Sequence, residues 1–430
     1  MTTASVGYES VHCWVKHVLG RTHATVVGTV TWAVLCLLVA QRVTPAALAR
    51  ALPYEQAGSG RSCLRRVRRW WSGPPLAQVE ISAALIRQAL LVRATARAVV
   101  VALDTTRVGP WEVWLAGIVV GGRTLPIGWA VIPYPWPKGR FRATTLALVA
   151  QLQRAFPAGV RWSLVADRGF PSAALFAQLR CGGTAFSVRL RLSDWVRVAG
   201  VYAKVVDHLE AGRLGVGQRT AATVGHGRPD LPLVPGWVVV SAAVATPPKH
   251  KQNPGTARER AVRARRQAQH RKHKRGRKTS PPSAATQRYA QTWVLFTTAP
   301  TLTQAVSEYA GRMAIEETYR DWHSHWAVRT AAAALPSEAM VTRLIGVVCL
   351  AYTLQMHLGQ RVSLAPETQR RRGQWTVTER VSWFWCGQRL FADPGYDWSA
   401  WLAQQWASLG QSGASAPATP VSEPVFAQAA

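Results

Sequence analysis

Acidic residues are scarce in this chain. Only 21 Asp and Glu stand against 52 Lys and Arg in 430 residues, for a net charge of +31. A surplus of that size excludes a cationic partner and points to a polyanion, nucleic acid before anionic lipid. Membrane attachment lacks support: no lipidation motif is present, and MTTASVGYESVHCW has no basic start followed by an apolar run, so no signal peptide is expected. The stretch TVVGTVTWAVLCLLVA (25–40) is apolar for sixteen residues but carries three Thr and a Gly. It falls short of the ~20 residues that span a bilayer and reads as a buried helix. The six Cys, at 13, 36, 63, 181, 349 and 386, include no C-x-x-C pair. Neither a disulfide framework nor a zinc site is expected, and a reducing cytoplasm fits. Internal repeats are absent, and the length suggests two to four domains.

What is there divides by pattern. Residues 1–95 read as helical and basic. Thr44 and Pro45 are placed to open a helix that Pro53 stops. SCLRRVRRWW (62–71) follows, with Arg65, Arg66, Arg68 and Arg69. Such a run is either a solvated helix face or a contact for DNA phosphates, and the overall charge favours DNA. Residues 96–190 change character. RAVVVALDTT is a β-branched run that reads as a buried strand ending at Asp104. WEVWLAGIVV and RTLPIGWAVIP around Gly121-Gly122 read as a hairpin. Helix 143–156, a second buried strand ending at Asp167, another helix and another strand complete a mixed α/β sheet.

Residues 191–290 read as a β-rich insertion that contains a basic, disordered run, 249–283. Within it, residues 249–282 hold thirteen Lys or Arg and one acid, which is +12 of the +31. Residues 291–360 return to the core, with a helix expected over 302–328 and an apolar one over 340–358. Residues 361–410 read as Trp-rich helices and 411–430 as a disordered tail.

The scarce acids are placed tellingly. Asp104 and Asp167 each end a strand otherwise made of apolar residues. One such Asp usually caps a turn. Two on neighbouring strands would repel in a partly dry site unless a cation lay between them, and a hard divalent ion takes such oxygen ligands. YAGRMAIEETYRDWHSHW (309–326) gathers three more acids. Tyr309, Arg312, Glu316 and His323 share one helical face, while Glu317 and Asp321 point to an exposed side where Arg320 can pair with them. Glu316 alone could simply pair with Arg312. With the two Asp it makes a third carboxylate, and three acids can hold two metals that serve the attacking and leaving oxygens of a displacement.

At these residues the chain resembles the DDE transposases of bacterial insertion sequences. Asp104-Thr105-Thr106 looks like their first-acid motif and Ala166-Asp167-Arg168-Gly169-Phe170 like their second. The third segment resembles the signature Tyr, two residues, Arg, three residues, Glu, six residues, Lys, held here by Tyr309, Arg312, Glu316 and, in place of Lys, His323. The resemblance covers roughly residues 30–400. It implies a ribonuclease H-like core with a strand-rich insertion between the second Asp and the Glu, and a helical N-terminal DNA-binding region. It implies Asp104, Asp167 and Glu316 as catalytic metal ligands, with two Mg²⁺ ions, or Mn²⁺ as the alternative. Tyr309, Arg312 and the residue at His323 would contact DNA. Trp293 resembles an aromatic that stacks on a flipped base, the alternative being a Trp that anchors its strand. The implied partners are double-stranded transposon ends and target DNA, bound by a homodimer, with no membrane, at the nucleoid of a prokaryotic cytoplasm. A ribonuclease H-like nuclease without strand transfer, and an inactive DNA-binding remnant, are the rival expectations.

Overall fold

The computed structural model describes residues 3–20, 22–52, 59–73, 76, 78–92, 98–225, 233–241, 289, 292–364 and 382–392. The chain is α/β, with ten strands joined by parallel and antiparallel pairings among these residues. It forms two compact units, one of residues 1–170, 174–186 and 307–430, the other of 171–173 and 187–306.

In the first unit the chain opens with five helices: α1 (Thr3–Leu19), α2 (Ala24–Ala40), α3 (Pro45–Ala51), α4 (Gly60–Trp71) and α5 (Gln78–Val92). α2 is apolar on nearly every side, so it is buried all round from Val30 to Leu38. It ends at Gln41, whose left-handed backbone (φ 50°) lets its N–H bond the Leu37 carbonyl at 2.8 Å. The Gln41 side chain then bonds Gln355 at 3.0 Å and accepts from Trp326 at 2.9 Å, which ties the helical region to the core. Thr44 precedes Pro45 in extended conformation, but its side chain makes no capping bond. α4 is two-faced. Cys63, Val67, Trp70 and Trp71 are buried, while Arg65, Arg68 and Arg69 are exposed and Arg66 is half-buried.

Four strands follow in spatial order β3-β2-β1-β4: β1 (Val99–Val108), β2 (Trp111–Val120), β3 (Arg123–Pro133) and β4 (Trp162–Ala166). β1, β2 and β3 run antiparallel, and β4 lies parallel to β1. The β2–β3 turn is Gly121-Gly122, both with positive φ (56° and 72°), the backbone a two-residue hairpin requires. β3 is covered on two sides. At Gly128 a Cβ would stand 3.1 Å from Leu148 and Leu152 of α6 (Arg140–Ala155). Next along, Trp129 donates its indole N–H to the Thr342 carbonyl of α12 (Glu338–Leu364) at 3.1 Å. Two-sided burial explains why these strands lack polar alternation. One described helix, Glu338–Gln360, is long and apolar enough to cross a membrane, and 83% of its apolar window is buried within the fold. α13 (Trp383–Ala392) packs on it.

The second unit is largely antiparallel sheet, in spatial order β5-β10-β9-β8-β6-β7. Its strands are β5 (Ala185–Arg189), which begins in the first unit, β6 (Trp195–Val198), β7 (Val201–Lys204), β8 (Arg219–Val224), β9 (Val234–Val240) and β10 (Val294–Thr297). Helix α7 (Ala173–Cys181) precedes β5, and α8 (Val205–Glu210) follows β7. The basic run 249–283, the tail 411–430 and most of 361–410 lie outside the described residues.

The helix expected over 302–328 is three helices and a π-turn. α9 (Leu302–Ala310) ends at Gly311, α10 (Met313–Arg320) restarts after Arg312, residues Asp321–His325 form the π-turn, and α11 (Val328–Ala333) follows Ala327. The break falls where the chain passes close to the sheet: Val119 of β2 is 3.5 Å from where a Cβ on Gly311 would stand.

Candidate active site

β1 and β4 pair in parallel from Val99↔Trp162 to Leu103↔Ala166. Asp104 follows on β1 and Asp167 is the first residue past β4, so the register itself sets the two acids side by side. One expectation needs correcting. Asp104 does not end its strand, because β1 continues to Val108 and Asp104 stays paired with Leu115 of β2. What ends at Asp104 is the parallel ladder. The β2 hairpin carries β1 onward on its other edge, which sequence alone did not reveal.

Asp104 is held from three directions. Its Oδ1 accepts the Thr105 N–H at 2.8 Å, its Oδ2 pairs with Arg312 Nη1 at 2.9 Å, and its carbonyl accepts from the Tyr319 hydroxyl at 2.9 Å. Burial nonetheless lifts its carboxyl from 3.8 to about 6. Arg312 and the Thr105 N–H oppose the rise, and the charges of Asp167 and Glu316 add to it. The desolvation of one carboxylate thus outweighs a direct ion pair.

The segment after the helix break supplies the other groups. Tyr309 donates its hydroxyl to Asp167 Oδ1 at 3.3 Å. Arg312 is the hub. Its side chain is 8% exposed and spans Asp104 and Glu316, the latter at 2.7 Å. Burial works against its charge, but Tyr309, Asp104, Asp167 and Glu316 hold it firmly protonated. The pairing of Glu316 with Arg312 expected from their spacing is therefore present, and it is one arm of a larger cluster. Glu316 itself is half-exposed, at 46%.

His323 also reaches this cluster. Its Nε2 bonds the Thr106 hydroxyl at 3.0 Å, its ring stacks on Tyr319, and its Nδ1 is buried without a partner. Burial, then Arg329, pushes its pKa down to about 4, so it is neutral near pH 7. A cationic stand-in for Lys is not what this environment supports in the free protein.

Glu317 and Asp321 part company. Glu317 pairs with Arg320 at 2.5 Å, with Arg123 3.7 Å away, as an exposed-side acid does. Asp321 is 2% exposed, contrary to expectation. It accepts from Arg123 Nε at 2.8 Å and from the Tyr352 hydroxyl at 2.9 Å, pinning the start of β3 to the π-turn and α12. Its place in the sequence gave no sign of this, because both partners lie far along the chain.

Tyr319 is the residue sequence reasoning missed. It is buried, its hydroxyl fixes the Asp104 peptide, and burial with the nearby Asp104 charge raises its pKa well above the ordinary value. Trp293 belongs to the second unit, at the mouth of β10. It is half-buried and bonded to Ser241, whose hydroxyl oxygen accepts the Trp293 N–H at 3.0 Å and whose own N–H donates to the Trp293 carbonyl at 2.9 Å. Arg65, Arg66, Arg68 and Arg69 lie on α4.

Asp104, Asp167 and Glu316 are a hard-oxygen donor set of the kind Mg²⁺ takes. Among the described residues, no group of three or more His, Cys, Asp or Glu is drawn close enough to hold a metal ion. The guanidinium of Arg312 bridges two of the three acids in that role.

No protein-family model matches this chain, and no curated protein matches it either.

Proposed function

We propose that this chain is a DDE-type transposase with a ribonuclease H-like core, which binds the inverted repeats at the ends of its element, cuts them and joins the freed ends to target DNA. The observation that supports this most is the convergence at Arg312. Three residues matching one signature, Tyr309, Arg312 and Glu316, meet the two Asp that the β1–β4 register sets side by side. A mixed sheet whose parallel pair carries both Asp, with a mostly antiparallel second unit before the Glu, is in keeping with the same reading.

In this reading Asp104, Asp167 and Glu316 would hold the divalent ions, Mg²⁺ or Mn²⁺, once Arg312 yields its two ion pairs. Bound there, such ions supply Lewis acidity and an activated nucleophile for phosphodiester chemistry. The chain's own groups do the positioning. Tyr319 and the Thr105 N–H fix the peptide and carboxylate of Asp104. Arg312, freed from the acids, has a guanidinium fork suited to a phosphate. Tyr309 orients Asp167. The exposed arginines of α4 and the basic run 249–282 supply non-specific attraction to the DNA backbone. Acting on two ends together calls for a dimer on DNA, in a prokaryotic cytoplasm. A nuclease that hydrolyses without joining would use the same acids.

The test is cleavage of DNA carrying the sequences that flank the gene, in Mg²⁺, by the wild type and by Asp167→Asn. The reading requires cuts at the ends of flanking inverted repeats, lost in the variant while binding persists. Equal cutting by the two proteins, or no binding to those ends, would end it.

A further inference from the structure

An aromatic and basic ridge joins the two acid-bearing strands. It starts at Arg107, three residues past Asp104, whose guanidinium lies 3.6 Å from the centroid of the Tyr134 ring. Tyr134 meets Trp136 edge-on at 5.1 Å, Trp136 meets Phe141 at 5.2 Å, and Phe141 meets Phe170 at 5.5 Å. Phe170 lies three residues past Asp167 and closes that turn with a 3.0 Å bond from its N–H to the Asp167 carbonyl. The ridge therefore runs from β1 beyond Asp104 to the turn that follows Asp167.

Its middle is open. Trp136 is 37% exposed, among the few large apolar side chains so exposed in the described residues. Phe141 is backed by buried Trp114 at 4.8 Å, which gives the ridge a fixed base. Lys138, Arg140 and Arg142 are exposed around it, and only Arg140 has a described carboxylate partner, Glu338 at 3.2 Å. From Glu112 to Asp167 the sequence contains no acid at all. An exposed indole framed by Lys138 and Arg142 presents a flat apolar face inside a positive rim. It suits a group that is flat, apolar on its faces and anionic at its edge, which describes an unpaired nucleotide.

We propose that this ridge seats an unpaired nucleotide bordering the reacting phosphate. Trp136 stacks its base, and Lys138 and Arg142 hold its backbone. The proposal rests on the transposase reading, and adds that the strand is held single-stranded here, by the first unit, on a residue outside the signature motifs.

The probes are two DNA ends bearing the gene-flanking sequence, one flush and one with a three-nucleotide single-stranded overhang containing 2-aminopurine. Binding is measured in EDTA with the full chain, its Trp136→Ala and Trp136→Phe variants. The overhang fluorescence should be quenched by the wild type and by Trp136→Phe. Trp136→Ala should lose the quenching and bind the overhang about 5- to 150-fold more weakly, the span for removing one stacked base, with flush-end affinity unchanged. Retained flush-end binding also shows that the Ala variant is folded. Unaltered quenching in Trp136→Ala, or equal weakening on both ends, would overturn the inference while leaving the transposase reading intact. Failure of the wild type to bind either end would overturn both.

Discussion

Removing the charge of Asp104 should stabilise the folded protein. Burial lifts its carboxyl from 3.8 to about 6 even with Arg312 at 2.9 Å. The folded chain thus keeps a proton on Asp104 up to about pH 6, while the unfolded chain releases it near its ordinary value. Between those values the folded state binds more protons, so stability falls as pH rises through the window. At about 1.4 kcal/mol per tenfold change in affinity, the cost above the window is roughly 3 kcal/mol. Asp104→Asn carries no such cost and keeps nearly the same volume. In urea denaturation with EDTA, the variant should match the wild type near pH 4 and exceed it by about 2–3 kcal/mol at pH 7–8. Added Mg²⁺ should narrow the gap by stabilising only the wild type. A gap that stays flat with pH, or a variant less stable at pH 8, would refute the argument. It would mean that Arg312 fully compensates the buried charge.

Other perturbations separate structural from chemical roles. Asp321→Ala should lose about 3 kcal/mol in the same denaturation assay, because it leaves the buried Tyr352 hydroxyl unpaired and Arg123 with only the more distant Glu317. His323 has a folded pKa near 4, below that of a free imidazole, so stability should drain away as pH falls from about 6.5 toward 4. His323→Gln should flatten that limb, and should leave the pH dependence of DNA binding between pH 6 and 8 unchanged. A wild-type binding curve that weakens over that interval and a flat variant would show His323 charged on DNA. Affinity for DNA should fall steeply with salt, and deleting residues 249–282 should make the log–log slope shallower without removing preference for the flanking ends. An unchanged slope would mean that the run does not touch phosphates.

Sequence periodicity carried the β2–β3 hairpin to the residue, because Gly121-Gly122 between two apolar runs has one common solution. It also found the buried α2 and the strands bearing Asp104 and Asp167. It failed where tertiary contacts overrode local pattern. The long helix breaks at Gly311 against β2, a neighbour that no local window contains. Asp321 looked like a surface acid because its partners, Arg123 and Tyr352, come from β3 and α12. Tyr319 carried no signal beyond its place in a helix, since its role depends on reaching the Asp104 carbonyl. The spacing of Tyr309, Arg312 and Glu316 was legible. Their convergence on two strand-borne Asp required the fold.

Strand transfer from a pre-cut end separates a transposase from a nuclease built on the same acids. A duplex ending in the exposed 3′-OH of a flanking repeat is mixed with target DNA, the full chain and Mg²⁺, and joined products are counted. The wild type should join the ends, and Asp104→Asn, Asp167→Asn and Glu316→Gln should not, each still binding the end. A wild type that only hydrolyses DNA, or an Asp167→Asn protein that joins ends at near wild-type rate, would contradict the transposase reading.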